Sequence, residues 1–367
     1  MALCDQSLPN VRAISPYLPG KPITQLAREM GIPVERIVKL ASNENPLGMS
    51  PKAKVAVEKA LVSLERYPDD FELKHALANH VALGMEHIVL GNGSNDVLDL
   101  IARVFLSPGR SAIFSQHAFA VYPLATLSAG AELIQVPAKD YGHDLEAMGN
   151  AIRIDTRLIW IANPNNPTGT FLTYPQLKAF LRATPPDVVV VLDEAYNEYI
   201  PPLERADTTA WLAEFPNLVV TRTFSKIYGL AGLRIGYALA SVAIADLMNR
   251  VRQPFNCNNL ALAAATAALD DHEFVARSYA LNRSGMEQIV TGLKHFGFSH
   301  LPSHGNFVTF KAGDAAALNQ RLLKQGVIVR PIGGYGMPEW LRVTIGTETE
   351  NFRFLEALDN ALTRPQQ

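Results

Sequence analysis

Val188-Val189-Val190-Val191-Leu192-Asp193-Glu194-Ala195-Tyr196 is the stretch on which the fold turns. Its five aliphatic residues form an unbroken row with no polar face, which suits a strand buried on both sides. Such strands belong to parallel sheets covered by helices. Two carboxylates follow at the strand's end, where an unpaired charge is costly. The same rhythm repeats outward along the chain. Strand-like runs at Ile88–Leu90, Ser111–Phe114, Glu132–Val136, Leu158–Ile161, Leu218–Thr223 and Gly236–Leu239 alternate with helical patterns at Asn95–Phe105, Tyr122–Ser128, Tyr174–Ala183 and Ala243–Arg250. The pattern predicts an α/β fold with a mostly parallel, doubly wound sheet.

Outside this region the rhythm differs. Residues 1–48, rich in Pro, Gly and Asn, read as an arm with a short helix near Ile23–Met30. Lys52–Leu64 and Glu72–Leu83 read as amphipathic helices separated by Tyr67-Pro68-Asp69-Asp70. A long helical stretch is expected over Asn259–Phe296, followed by strands at Asn306–Lys311, Val327–Val329 and Leu341–Ile345 and helices at Ala315–Gln325 and Glu348–Leu362. The expected division is an arm over 1–48 that contributes to a smaller α+β domain, a large domain over 49–258, and a linker helix with the rest of the small domain over 259–367. A chain of 367 residues is too long for one ordinary core, which supports two domains.

The net charge of −2 offers no basic stripe for nucleic acid and no attraction to an anionic membrane. The two cysteines, Cys4 and Cys257, build no disulfide framework, and no Cys/His cluster has zinc spacing. Asp5 and Arg12 interrupt any apolar leader, so a cytoplasmic enzyme without a metal is expected.

Polar clusters follow several of the strands, and in open α/β sheets ligands bind at the strands' carboxyl ends. Gly91-Asn92-Gly93-Ser94-Asn95-Asp96 opens a helix whose free N–H groups suit phosphate, although an ordinary turn capped by Ser94 or Asn95 has the same sequence. It lacks the glycine spacing of a dinucleotide fingerprint, which argues against a nicotinamide dehydrogenase. Asn163-Pro164-Asn165-Asn166-Pro167-Thr168-Gly169 presents the Asn166 amide on a constrained backbone. Asp193 suits a protonated pyridine nitrogen. Lys226, preceded by Thr223 and Ser225 and followed by a Gly-rich run to Arg234, suits imine formation, with hydroxyls and a guanidinium beside it for a dianionic phosphate.

Taken together with Leu40-Ala41-Ser42-Asn43-Glu44-Asn45-Pro46, Arg66-Tyr67-Pro68 and Leu341–Thr347, these motifs resemble the fold-type I aminotransferases that use pyridoxal phosphate (PLP), over essentially the whole chain. The resemblance implies that Lys226 carries PLP as a Schiff base and moves the substrate's Cα proton, that Asp193 pairs the ring nitrogen, and that Asn166 and Tyr196 hydrogen-bond the ring oxygen. It implies that Gly93, Ser94, Asn95, Thr223, Ser225 and Arg234 hold the phosphate, that Phe119 stacks on the ring, and that Tyr67 reaches the neighbouring subunit's cofactor, making the active unit a homodimer with shared sites. Phe119 sits in His117-Ala118-Phe119, a departure from the family's Pro-first version. For substrate it implies Arg342, with Tyr17, Asn166 and Arg330. The implied reaction is transamination between glutamate/2-oxoglutarate and a phosphorylated or aromatic amino compound, nearest to the members that aminate imidazole-acetol phosphate in histidine biosynthesis. A decarboxylase of a phosphorylated amino acid is the other alternative.

Overall fold

The computed structural model describes residues 3–17 and 19–363. Twelve strands lie among the described residues: β1 (Val38–Lys39), β2 (Ile88–Gly91), β3 (Ser111–Ser115), β4 (Glu132–Val136), β5 (Thr156–Ala162), β6 (Val189–Asp193), β7 (Leu218–Thr223), β8 (Gly236–Ala240), β9 (Phe307–Lys311), β10 (Val327–Ile328), β11 (Arg330–Pro331) and β12 (Trp340–Thr344). Seven of them form one sheet in the order β2-β8-β7-β6-β5-β3-β4. β8 runs antiparallel to both of its neighbours, and the remaining pairs are parallel. The α/β reading with a mostly parallel sheet therefore holds.

The valine run of β6 lies at the centre of this sheet, and every one of its residues is buried. Alternate side chains enter two different cores. Val190 and Leu192 join a cluster with Leu77, Phe180 and Leu262, from helices Phe71–Val81, Tyr174–Ala183 and Asn259–Leu269. Val189 and Val191 join the cluster of Leu98, Ala125 and Met248, from helices Ser94–Phe105, Val121–Ser128 and Val242–Val251. A strand that is apolar on both faces is thus covered on both faces.

A second, smaller sheet has the antiparallel order β11-β12-β9. Its core contains Val308, Leu341 and Phe354, and also Leu40 from the N-terminal arm. The arm is tied in by backbone as well: β1 pairs in parallel with β10, Val38 opposite Val327, and the Thr344 amide donates to the Leu40 carbonyl at 2.9 Å.

Three local expectations need correction. The stretch Asn259–Phe296 is two helices, Asn259–Leu269 and His272–His295, because Asp271 leaves the helix and caps the second one by accepting from the Phe274 amide at 3.3 Å. Lys52–Leu64 is α-helical only over Pro51–Ala60 and tightens into a 3-10 turn at Leu61–Ser63. Between β4 and β5 lies an unforeseen helix, Leu145–Asn150, started by Asp144, whose carboxylate accepts from the Ala147 amide at 3.0 Å. At six residues it is too short to show a periodic pattern.

Candidate active site

The strand ends converge on a cavity of about 240 Å³. Tyr17, Ser94, Asn95, Phe119, Asn166, Asp193, Tyr196, Thr223, Ser225, Lys226, Arg234, Arg330 and Arg342 line it.

β6 ends in Asp193 and the chain continues with Glu194. Adjacent residues leave an extended strand on opposite faces, and the two carboxylates are accordingly separated. Glu194 turns away into the core, where its carboxylate accepts from Arg222 Nε at 2.9 Å and from the Thr208 hydroxyl at 2.7 Å. Asp193 faces the cavity. Its Oδ2 accepts from the Tyr122 hydroxyl at 2.8 Å, while Oδ1 is buried without a partner. Burial holds the Asp193 carboxyl above the usual carboxylate range, and the Tyr122 hydrogen bond works against that. A buried carboxylate oxygen with nothing to accept calls for a donor from a bound molecule.

Lys226 lies just past β7, and its Nζ donates to the Ser42 carbonyl at 3.2 Å. Burial, then the nearby charge of Arg342, lower its pKa to about 8. A neutral amine is the nucleophilic form. Tyr196 lies beside it, with Nζ 5.6 Å from the centre of the phenol ring, and burial pushes the phenol up to about 12.

The phosphate-type pocket combines a helix start with the Arg234, Ser225 and Thr223 side chains. Gly93 has φ 85 and directly precedes helix Ser94–Phe105, so the helix's free N–H groups open toward the cavity. A Cβ at Gly93 would meet Arg234 Nη2 at 2.2 Å. Only glycine lets that guanidinium lie against the helix start. Arg234 is itself in the left-handed region at φ 59 and is fixed by donating to the Ala231 carbonyl at 3.0 Å and, at 3.4 Å, to the Ser225 hydroxyl. Thr223 Oγ1 accepts from the Ser225 amide at 3.1 Å, shaping the same turn. Phe119 stands edge-on to Tyr122, ring centres 5.8 Å apart.

On the opposite wall Arg330 and Arg342 occupy directly paired positions of β11 and β12. Like charges facing each other across a ladder repel, an arrangement that a bound anion relieves. Arg342 is buried; it donates to the Asn166 side-chain oxygen and, at 2.8 Å, to the Ala41 carbonyl, yet its Nε has no partner. Arg330 donates to the Tyr17 hydroxyl at 3.2 Å. Asn166 is carried on a loop braced by Asn165, whose amide donates to the His117 carbonyl at 2.8 Å.

Gly93 lies beneath Arg234 rather than on the cavity wall, and Tyr67 lies outside the cavity, exposed and stacked on Phe255 at 4.5 Å. The sequence reading gave no part to Tyr122, Ser42 or Asn43. Tyr122 is one aromatic in an apolar helix, and nothing local links it to a carboxylate far along the chain. Asn43 sits within a quoted motif and could have been weighed from that.

The chain belongs to the aminotransferase class I and II family, which matches residues 35–358. Within that family its relatives narrow further. A histidinol-phosphate aminotransferase of Dechloromonas aromatica is 76% identical over 362 residues, covering 99% of this chain and 100% of the relative. One from Nitrosospira multiformis is 60% identical, covering 99% of this chain and 93% of the relative. The crystal structure of histidinol-phosphate aminotransferase from Sinorhizobium meliloti in complex with pyridoxal-5'-phosphate superposes with a TM-score of 0.90 at 28% identity, covering 97% of each chain. The cofactor is PLP. The residues present fit it: an unpartnered carboxylate oxygen for the ring nitrogen, a lysine of lowered pKa, and a helix start with Arg234 for the phosphate. These relatives give the aromatic substrate no support.

Proposed function

We propose that this chain transfers an amino group between L-histidinol phosphate and 2-oxoglutarate, giving imidazole-acetol phosphate and L-glutamate, a step of histidine biosynthesis. Bound PLP supplies an aldehyde that condenses with amines and a ring that draws electrons from the substrate's Cα. In this reading Lys226 would hold PLP, and its neutral Nζ would take the proton from the substrate's Cα. Asp193 keeps the ring nitrogen protonated through Oδ1, with Tyr122 holding the carboxylate in place. Ser94, Asn95, Thr223, Ser225 and Arg234 bind the cofactor phosphate, Phe119 stacks on the ring, and Asn166 and Tyr196 donate to its oxygen. Arg342 and Arg330, with Tyr17, bind the substrate's anionic end. A carboxylate and a phosphate both fit the guanidinium fork, so one site serves both amino donors in turn.

The observation that carries this is the pairing, in one small cavity, of a buried amine of lowered pKa with a buried carboxylate oxygen that lacks a partner. The active unit in this reading is a cytoplasmic homodimer. The exposed apolar residues Val62, Tyr67, Phe71 and Phe255 supply the contact surface, and the partner subunit's Tyr67 completes the phosphate site. The test is a visible absorption scan with imidazole-acetol phosphate and phenylpyruvate assayed as rival acceptors. A borohydride-sensitive band, absent in Lys226→Ala, and preference for the phosphorylated acceptor are expected. Normal turnover by Lys226→Ala would end the proposal.

A further inference from the structure

Among the described residues the Tyr196 hydroxyl has one hydrogen-bond partner, the Asn43 side chain, and the direction of that bond is set from the opposite wall of the site. Asn43 has φ 56, which presents both its backbone and its amide to buried partners. Its backbone N–H donates to Thr344 Oγ1 at 2.9 Å. That hydroxyl has a single proton, which it gives to Asn43 Oδ1 at 3.1 Å. With Oδ1 committed as acceptor, Nδ2 faces the Tyr196 hydroxyl at 2.8 Å and donates to it. The Asn43 carbonyl is fixed in turn by the Asn306 side chain, which donates at 3.0 Å. If the amide were turned over, the Thr344 proton would lose its acceptor, and the Tyr196 proton would be spent on Asn43. The side-chain hydrogen bonds therefore run one way, from Thr344 at the end of β12, through the Asn43 amide, to Tyr196 just past the end of β6.

We propose that Asn43 is a positioning residue that aims the Tyr196 hydroxyl proton: by donating to the phenol oxygen, it leaves that proton free only for the ring oxygen of bound PLP. The inference rests on the reading of Tyr196 given above and adds the reason its hydroxyl donates rather than accepts. Hydrogen bonds in a chain polarise one another, so the Asn43 amide also strengthens the donation it directs. The charged groups nearest the phenol are Arg342, which favours its ionised form, Asp193, which opposes it, and Lys226 over the ring.

The measurable consequence lies in the spectrum of the holoenzyme. When PLP is linked to Lys226, the nitrogen of that link shares its proton with the ring oxygen. A donor to the oxygen draws charge away from it and lets the nitrogen lose its proton at lower pH. Tyr196→Phe removes the donor and should raise the pH midpoint of the visible absorption change by about one unit. Asn43→Asp keeps the shape but replaces the donating NH₂ with an accepting oxygen, so the Tyr196 proton turns toward residue 43, and the midpoint should rise by a similar amount. In the double variant Tyr196→Phe/Asn43→Asp the two shifts should not add, because both act through one hydroxyl. If the Asn43→Asp shift persists in full without the hydroxyl, it is a charge effect and the proposal fails. An unmoved midpoint in Asn43→Asp, with Tyr196→Phe shifted, overturns the relay alone. An unmoved midpoint in Tyr196→Phe overturns the reading of Tyr196 and the relay with it. Should Asn43→Asp not hold cofactor, Thr344→Val and Thr344→Ser decide. The valine, which frees the amide to turn, raises the midpoint while the serine retains it. Equal midpoints for the two overturn the proposal.

Discussion

Asp193, Ser225, Lys226 and Arg234 reach the cavity from strand ends and turns of one continuous sheet, whereas Arg330 and Arg342 reach it from a small sheet whose contacts come from the two ends of the chain. Around the phosphate-side residues of the first group the supporting partners are near in sequence, Ala231 for Arg234 and Thr223 for the Ser225 turn, while Asp193 and Lys226 take Tyr122 and Ser42 from afar. Around the second they are distant: Ala41 and Asn166 for Arg342, Tyr17 for Arg330. The turn built to hold the phosphate of a permanent resident is locally braced. The side that must accept and release two different substrates depends on long-range packing, and the arm carries that packing across to the cofactor side through Ser42, which takes the Lys226 hydrogen bond, and Asn43, which donates to the Tyr196 hydroxyl.

The largest effect that would sharpen this contrast is on Arg342. Arg342→Ala should raise KM for glutamate about 10²-fold while PLP affinity stays within about twofold, since a charge that pairs with a substrate anion is lost but no cofactor contact is. Steady-state kinetics with a PLP titration of the apoenzyme checks both halves, and a comparable loss of PLP affinity would break the division. Tyr122→Phe is the mirror case. It takes a hydrogen bond from a buried carboxylate and should weaken PLP binding about tenfold with little change in KM for glutamate. The smallest effect is a pH dependence. The Lys226 amine is neutral above a pKa lowered to about 8, so the rate at which apoenzyme takes up PLP should climb through that pH and level off above it. An inflection near the ordinary 10.5 would mean that the lysine stands in water.

Legibility in the sequence followed the same division. The strands of the large sheet could be read because each is a short apolar run closed by a polar cluster, and Asp193, Asn166 and Lys226 stand within residues of a strand end. Pairing the strands in space and adding the arm to the small core could not be read from local pattern. Leu40 looks like any leucine until β10 and β12 lie beside it. Tyr122 shows the limit most plainly: its helix was expected, but its hydroxyl gains meaning only when β5 and β6 bring Asp193 over it. The break at Asp270-Asp271 was missed for a different reason. Two helices separated by a two-residue kink keep apolar side chains at compatible spacing, and the cap that ends the continuity is a single aspartate.

The parallel pairing of β1 with β10 has a bearing on how the molecule is made. Synthesis delivers Val38 and Lys39 early and Val327 and Ile328 late, so the leading segment must wait outside the ribosome until the trailing one emerges. The central sheet has all its strands by Ala240 and can close first, leaving the arm as the last piece to dock. Ser42, whose carbonyl takes the Lys226 hydrogen bond, arrives with that docking, so a nascent chain stopped short of its small sheet would carry its lysine without the lid that isolates it from water.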